Sequence, residues 1–312
     1  MPAARPLLRR VRERLAPDAG LQACERRLVW LLGSPRTGTT WLLNLLARQS
    51  GFVKVDEPGI GVHAGLFLHE FYGSPARNFQ PGASLMAEVR ARDPEYFFAE
   101  QYAAVWRPHF RRLMLARFAA HAATAGDADA ICLIKEPNGT QAAELLLTTL
   151  PQSRMMWVLR DGRDVVDSEV DAVAPGAWTQ EYGAPWTMSA EERLRYVEDR
   201  AHRWLQRTLV VQRAFDRLPE RQRLVVRYEQ LRADTTSELE RIHAWLGPAV
   251  DRDAVHATAE ALRFERLPAE VRGKGRFARS ASTGGWRDNL TADEQATMER
   301  VMGPKLRELG YR

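Results

Sequence analysis

Five short apolar runs stand out along the chain, at about 28–33, 52–55, 130–134, 154–159 and 223–228. Between and after them, apolar residues recur at helical spacing over about 39–49, 140–149, 163–172, 190–216, 235–246 and 292–309. Unbroken apolar runs fit strands that are buried on both faces. Their alternation with helices predicts an α/β fold, a mostly parallel central sheet flanked by helices. Pro151 and Pro219 fall at predicted helix ends, where proline is tolerated.

Two stretches break the alternation. Residues 58–128 read as a long insertion rich in aromatics, among them Phe67, Phe71, Tyr72, Phe98, Tyr102 and Trp106. Aromatics at helical spacing are expected to pack in a core. Residues 174–188 set Trp178, Tyr182 and Trp186 among Pro175, Gly176, Gly183 and Pro185. That mixture suggests a lid or pocket wall. The expected organisation is a basic N-terminal helix or extension over 1–26, followed by a single domain over 27–312.

Composition narrows the classes. With 312 residues and 45% hydrophobic content the chain can build a full core. No apolar run reaches the ~18 residues of a membrane span. Arg5, Arg9, Arg10, Arg12 and Arg14 make the N-terminus basic, with no apolar signal-peptide core beside them. A solvated amphipathic helix is the plain reading of that segment; an acidic surface or partner is the other. Cys24 and Cys132 give neither a disulfide framework nor a metal spacing, so no metal site is expected. A reduced, cytoplasmic setting fits. The net charge of +5 suits a polyanionic ligand. No motif points to nucleic acid.

The first chemistry-bearing motif is the loop Gly33-Ser34-Pro35-Arg36-Thr37-Gly38-Thr39-Thr40-Trp41. It follows the first apolar run and opens the first predicted helix. Strand, glycine loop and helix aim backbone N–H groups at a phosphate. A P-loop nucleotidase carries Lys after the second glycine, to reach the end of a triphosphate. Here Thr39 takes that place, and the cation sits inside the loop as Arg36. The second motif runs from Arg160-Asp161-Gly162-Arg163-Asp164 to Ser168. An apolar strand delivers Arg160 at its carboxyl end, and Ser168 lies about two turns into the next helix. A guanidinium fork and a hydroxyl are good phosphate ligands. Asp161, Arg163 and Asp164 read as a capping and ion-pair cluster.

The loop resembles the 5′-phosphosulfate loop of sulfotransferases that use 3′-phosphoadenosine 5′-phosphosulfate (PAPS). Its P-R-T-G-T-T form is closest to the tyrosylprotein-type and bacterial branch. The second motif is similar to the family's 3′-phosphate motif, R-D-x-R-D-x-x-x-S. A third stretch, Arg279 to Trp286, is similar to the family's C-terminal loop. Arg279 and Gly284 match it, while Ser280 and Ala281 replace a Lys-Gly pair. The resemblance spans about residues 27–310 and implies a P-loop-like sulfotransferase fold.

The resemblance also implies roles. Pro35, Arg36, Thr37, Gly38, Thr39 and Thr40 would hold the 5′-phosphosulfate. Arg160, Ser168, Arg279 and Gly284 would serve the 3′-phosphate. Trp41 would either stack on adenine or pack beneath the helix, and Tyr228 of Tyr228-Glu229-Gln230-Leu231 would bind the nucleotide. The family's K-x-H base motif reads Lys135-Glu136-Pro137 here, so histidine is missing. The tyrosylprotein-type pattern places a base Glu 21 residues after the loop Arg, and that position is Glu57. Glu57 is the expected base, with Lys135 and Arg36 as catalytic cations; Glu136, His63 and His69 are the alternatives for the base. No metal is required, and PAPS would leave as 3′-phosphoadenosine 5′-phosphate (PAP). The acceptor is expected to be a hydroxyl, in preference to an amine, on a small metabolite, lipid or sugar. A monomer and a homodimer both remain open. Two other classes are a P-loop kinase or hydrolase and a non-catalytic nucleotide-binding module. Thr39 and the cationic end of the 130–134 run speak against the first; Glu57 with Lys135 speaks against the second.

Overall fold

The computed structural model describes residues 19–60, 94, 95, 98–179, 187–248, 250–280 and 282–312. Among them, five strands form one sheet in the order β2-β3-β1-β4-β5. The strands are β1 (Leu28–Leu32), β2 (Phe52–Asp56), β3 (Ile131–Lys135), β4 (Arg154–Leu159) and β5 (Arg223–Arg227). Every neighbouring pair is parallel. Helices cover both faces. In chain order they are α1 (Ala19–Arg26), α2 (Thr39–Leu46), α3 (Ala103–Thr124), α4 (Ala143–Thr149), α5 (Gly162–Ala172) and α6 (Ala190–Asp216). Then follow α7 (Tyr228–Ala233), α8 (Thr235–Leu246), α9 (Arg252–Ala261), α10 (Trp286–Asn289) and α11 (Ala292–Glu308).

The apolar runs became strands because their two alternating faces meet two cores. Leu28, Trp30 and Leu32 of β1 join one core, with Trp157 of β4, Trp204 of α6 and Met302 of α11. Val29 and Leu31 turn to the other, with Leu42 and Leu46 of α2 and Ile242 of α8. Burying one such side chain contributes roughly 1.5–3 kcal/mol. The buried Trp30 indole is satisfied by Ser153 Oγ, 3.1 Å away. Capping boxes at Ser189–Glu192 and Thr291–Glu294 start the helices α6 and α11.

The 58–128 stretch contains α3, a helix of 22 residues, in its described part. Trp106 is buried there, as expected of a core aromatic. Tyr102 departs from that expectation and is 50% exposed, at the N-cap position just before the helix. Helix α1 packs on α3, and its Cys24 joins the core. Cys24 and Cys132 are both buried and unpaired, and burial pushes the Cys132 thiol up to about 11. Residues 1–18, with the N-terminal arginines, lie outside the described residues.

Parallel register gathers the chemistry at one edge. Asp56 pairs with Lys135 across β2 and β3, and Leu31 pairs with the same Lys135 across β1 and β3. Leu159 pairs with Arg227 across β4 and β5. The carboxyl ends of the strands therefore bring the 33–38 loop, Glu57, Lys135, Arg160 and Tyr228 to one rim, where open α/β sheets bind ligands.

Candidate active site

The loop after β1 is shaped by two glycines. A Cβ at Gly33 would stand 2.2 Å from the Val158 carbonyl oxygen, so no side chain fits against β4. Gly38 adopts φ +88°, and a Cβ there would stand 2.6 Å from the Tyr228 ring. Thr37 locks the turn from within by donating to Ser34 O at 2.8 Å. No side chain caps α2, so its first-turn N–H groups stay available to an anion.

A cavity of about 280 Å³ opens beside this loop. Arg36, Gly38, Thr39, Thr40 and Trp41 line it from the first motif. Arg160, Ser168, Tyr228 and Arg279 line it from the others. Pro35, Thr37 and Gly284 do not line it. Gly284 is turned to α5, where its N–H donates to Asp164 Oδ2 at 2.7 Å. An apolar wall of Leu262, Phe264, Leu267 and Val271 completes the cavity. No periodic pattern marked those residues in the sequence.

Charge concentrates at the other wall. Arg160 donates to Arg36 O at 2.9 Å and to Ser282 O at 3.1 Å, and its guanidinium lies 4.3 Å from the Tyr228 ring centroid. Its Nε is buried with no hydrogen-bond partner among the described residues. Burial pushes the Tyr228 phenol upward, with Arg160 opposing. Arg36, at φ 68°, donates from Nε to Ser168 Oγ at 3.0 Å and from Nη2 to Phe277 O at 2.8 Å. Trp41 donates to Leu262 O at 3.0 Å and meets Tyr228 edge to face, half-buried on the cavity wall.

Helix α5 is buried along its whole length despite its acidic residues. Asp161 caps it and pairs with Arg163 at 2.7 Å, the cluster expected there. Asp164, Asp167 and Asp171 face the C-terminal loop and accept from Gly284 N, Arg279 and Gly275 N, respectively. Burial raises the Asp164 carboxyl, and the Gly284 N–H opposes that rise. This latch was not anticipated, yet its three-residue and four-residue spacing on a predicted helix was there to be read. Trp178 N donates to Gly275 O at 2.9 Å, which ties the 174–179 segment to the same loop.

On the far side of the first loop, Lys135 is 3% exposed and bridges three groups. It donates to Thr40 Oγ1 at 2.8 Å and Glu57 Oε1 at 2.8 Å, and it lies 2.6 Å from Asp56 Oδ1. Asn138 donates to Glu57 Oε2 at 2.6 Å. Glu57 keeps 41% of its side chain exposed. Asp56 and Asn138 were missed in the sequence, although both adjoin the motif residues. Glu136, the alternative base beside Lys135, is fully buried, whereas Glu57 is not. His63, His69, Tyr182 and Trp186 lie outside the described residues. Among the described residues, no group of three His, Cys, Asp or Glu is placed to hold a metal ion.

The family model described as "Sulfotransferase family" matches residues 29–252. The chain belongs to the sulfotransferase family. Two solved sulfotransferases show the same fold. Mouse sulfotransferase SULT7A1, complexed with PAP, aligns over 95% of this chain and 91% of its own, at 13% identity and a TM-score of 0.54. Sulfotransferase STF9 from Mycobacterium avium aligns over 92% and 77%, at 14% identity and a TM-score of 0.50. A comparison with curated protein sequences gave no match. In this chain the fold places the 33–38 loop, Lys135, Arg160 and the Glu57 carboxylate at one rim.

Proposed function

We propose that this sulfotransferase transfers the sulfuryl group of PAPS to a hydroxyl acceptor, with Glu57 as general base. The observation that carries the reading is the position of Lys135. Its ammonium touches Thr40, which lines the cavity, and Glu57, which faces out beside it. One buried cation therefore couples a phosphate-binding loop to a carboxylate.

The residues of the cavity fit the nucleotide. The apolar wall with Trp41 and Tyr228 suits an adenine ring. Arg160, Ser168 and Arg279 line the cavity and supply donors for a 3′-phosphate. Arg36, Thr39, Thr40 and the free amides of α2 supply donors for the 5′ end. When bound, PAPS supplies the activated sulfuryl group, and PAP is what remains in the cavity. Glu57 takes the proton of the acceptor hydroxyl on its exposed carboxylate. Lys135 and Arg36 neutralise negative charge as it develops at the rim, without reorganising at that moment. Asn138 and Lys135 hold one Glu57 oxygen each, which fixes the carboxylate's direction.

The acceptor side is assigned to the 58–128 insertion, which begins beside Glu57, and to the 174–188 segment, whose Trp178 ring lies 5.6 Å from the Arg36 guanidinium. The sulfotransferase domain is taken as 27–312. Two unpaired buried cysteines suit a reducing, cytoplasmic setting. No described helix is long and apolar enough to cross a membrane. Incubating the protein with radiolabelled PAPS and a panel of hydroxylated metabolites, lipids and sugars tests the reading. Label transferred to at least one hydroxyl, with PAP released in equal amount, is the expected result. Binding of PAPS with no transfer to any acceptor and no PAP release would leave only a nucleotide-binding protein.

A further inference from the structure

Glu57 stands on an unusual backbone. Its φ is 47°, in the left-handed region that non-glycine residues rarely adopt, and Gly59 follows at φ 70°. Such a turn persists only when its surroundings over-determine it. The surroundings here come from one short segment at the end of β3. Glu57 N donates to Lys135 O at 2.9 Å. Lys135 Nζ and Asn138 Nδ2 grip the two carboxylate oxygens. Gly59 N donates to Glu136 Oε2 at 3.0 Å.

We infer that Glu136 is a positioning residue: its carboxyl holds the 57–59 turn so that Glu57 faces the acceptor. The inference rests on the reading of Glu57 as base. Glu136 is 0% exposed, and its Oε1 has no hydrogen-bond partner among the described residues. A Cβ on Gly139 would stand 2.6 Å from that oxygen, so the chain makes room for this carboxyl. Burying it works against stability, since desolvation raises it to about 7, with Glu57 adding to the rise and the Gly59 and Ile60 N–H groups and Lys135 opposing it. A leucine would fill the same space without that penalty. What the carboxyl provides and leucine lacks is an acceptor for the Gly59 N–H. Protonated or ionised, it keeps an oxygen for that bond. Glutamine keeps one too.

Glu136→Gln and Glu136→Leu separate a positioning role from mere filling. Turnover is read as PAP release from PAPS with phenol as the probe acceptor, and the turn is read by hydrogen exchange at the Gly59 amide. Glu136→Leu should lower kcat by about tenfold to a hundredfold, the scale of a small misplacement of a reacting group. The PAP dissociation constant should stay within about twofold, because the cavity is untouched, and Gly59 exchange should accelerate. Glu136→Gln should restore both kcat and Gly59 protection. If the leucine variant does not fold, Glu136→Met replaces it, and the wild-type Gly59 amide is read directly. An unprotected Gly59 amide in the wild type would overturn the inference. Normal kcat in Glu136→Leu, while Glu57→Gln is inactive, would overturn it and leave the base reading standing. Normal kcat in Glu57→Gln would instead overturn the base reading, and the positioning role with it.

Discussion

Arg36 Nε donates to Ser168 Oγ at 3.0 Å, although 132 residues separate them in the chain. The family resemblance implies the 5′ end of a nucleotide for Arg36 and the 3′-phosphate for Ser168. The two hold each other directly. The Arg36 guanidinium also lies against the rings of Trp178 and Phe277, which meet edge to face at 5.3 Å. The first loop, helix α5, the 174–179 segment and the C-terminal loop thus converge on one side chain.

That convergence predicts a response at residues 174–179. Hydrogen exchange there should slow when PAP and an acceptor are both bound, as the segment settles on the filled site. Unchanged exchange in the ternary complex would reduce Trp178 to ordinary packing.

Nucleotide choice follows from Arg160, Ser168 and Arg279. PAP should bind more tightly than adenosine 5′-phosphate, since charge-assisted hydrogen bonds contribute ~1.5–3 kcal/mol each. Arg160→Ala should erase most of the difference, as read by calorimetry. Equal affinity of the wild type for the two nucleotides would refute the assignment of the 3′-phosphate wall.

Asp167 gives a prediction of opposite sign. It lines the cavity, and Arg279 and Asn289 both donate to its Oδ2. Its negative charge opposes a phosphate bound nearby. Asp167→Asn keeps an acceptor for Arg279 and removes the charge. PAP affinity should rise by roughly tenfold, a modest part of a like-charge interaction at a partly buried site. A fall in affinity would mean that the carboxylate is needed to aim Arg279.

Much of this was legible in the chain itself, for a physical reason. Strands buried on both faces read as unbroken apolar runs, and β1 to β5 fall where those runs lie. Helices with clear starts were equally plain, as at Ser189 and Thr291. Helix α3 was not legible. It has no side-chain cap, carries Pro108 in its first turns and mixes Ala with Arg on its outer face. Helix α9 was missed although Asp251 caps it. Within the site, Arg36 and Arg160 were readable from strand–loop–helix patterning, whereas Glu57, Lys135 and Tyr228 were picked out by the family resemblance alone. The wall of Leu262, Phe264, Leu267 and Val271 was not, since only tertiary packing brings that segment to the first loop.

Acid stability provides an independent check of the second core. His243 is 2% exposed, packs edge to face on Phe52, and has no hydrogen-bond partner for either nitrogen among the described residues. Burial lowers its pKa from 6.5 to about 4. The folded state therefore binds fewer protons than the unfolded state between those values. Stability is fully present above pH 6.5 and is lost as pH falls towards about 4, by about 3 kcal/mol in all. Glu136 acts in the opposite direction: raised to about 7, it favours the folded state below its ordinary value of 4.5 and loses that contribution as pH rises through about 7. Urea unfolding at pH 7 and pH 5 should show a smaller loss in His243→Phe than in the wild type. Identical losses would mean that His243 is protonated in the fold.

The central claim is that Glu57, held by Lys135 beside the nucleotide cavity, removes the acceptor's proton. Glu57→Gln keeps the shape and leaves the cavity intact, so the decisive measurement is single-turnover sulfuryl transfer from PAPS in this variant, with PAP binding measured alongside. The expected rate is lower by ~10²–10⁴-fold, the usual share of a general base, at nearly unchanged PAP affinity. Near-normal transfer by Glu57→Gln would contradict it and move the base to another group.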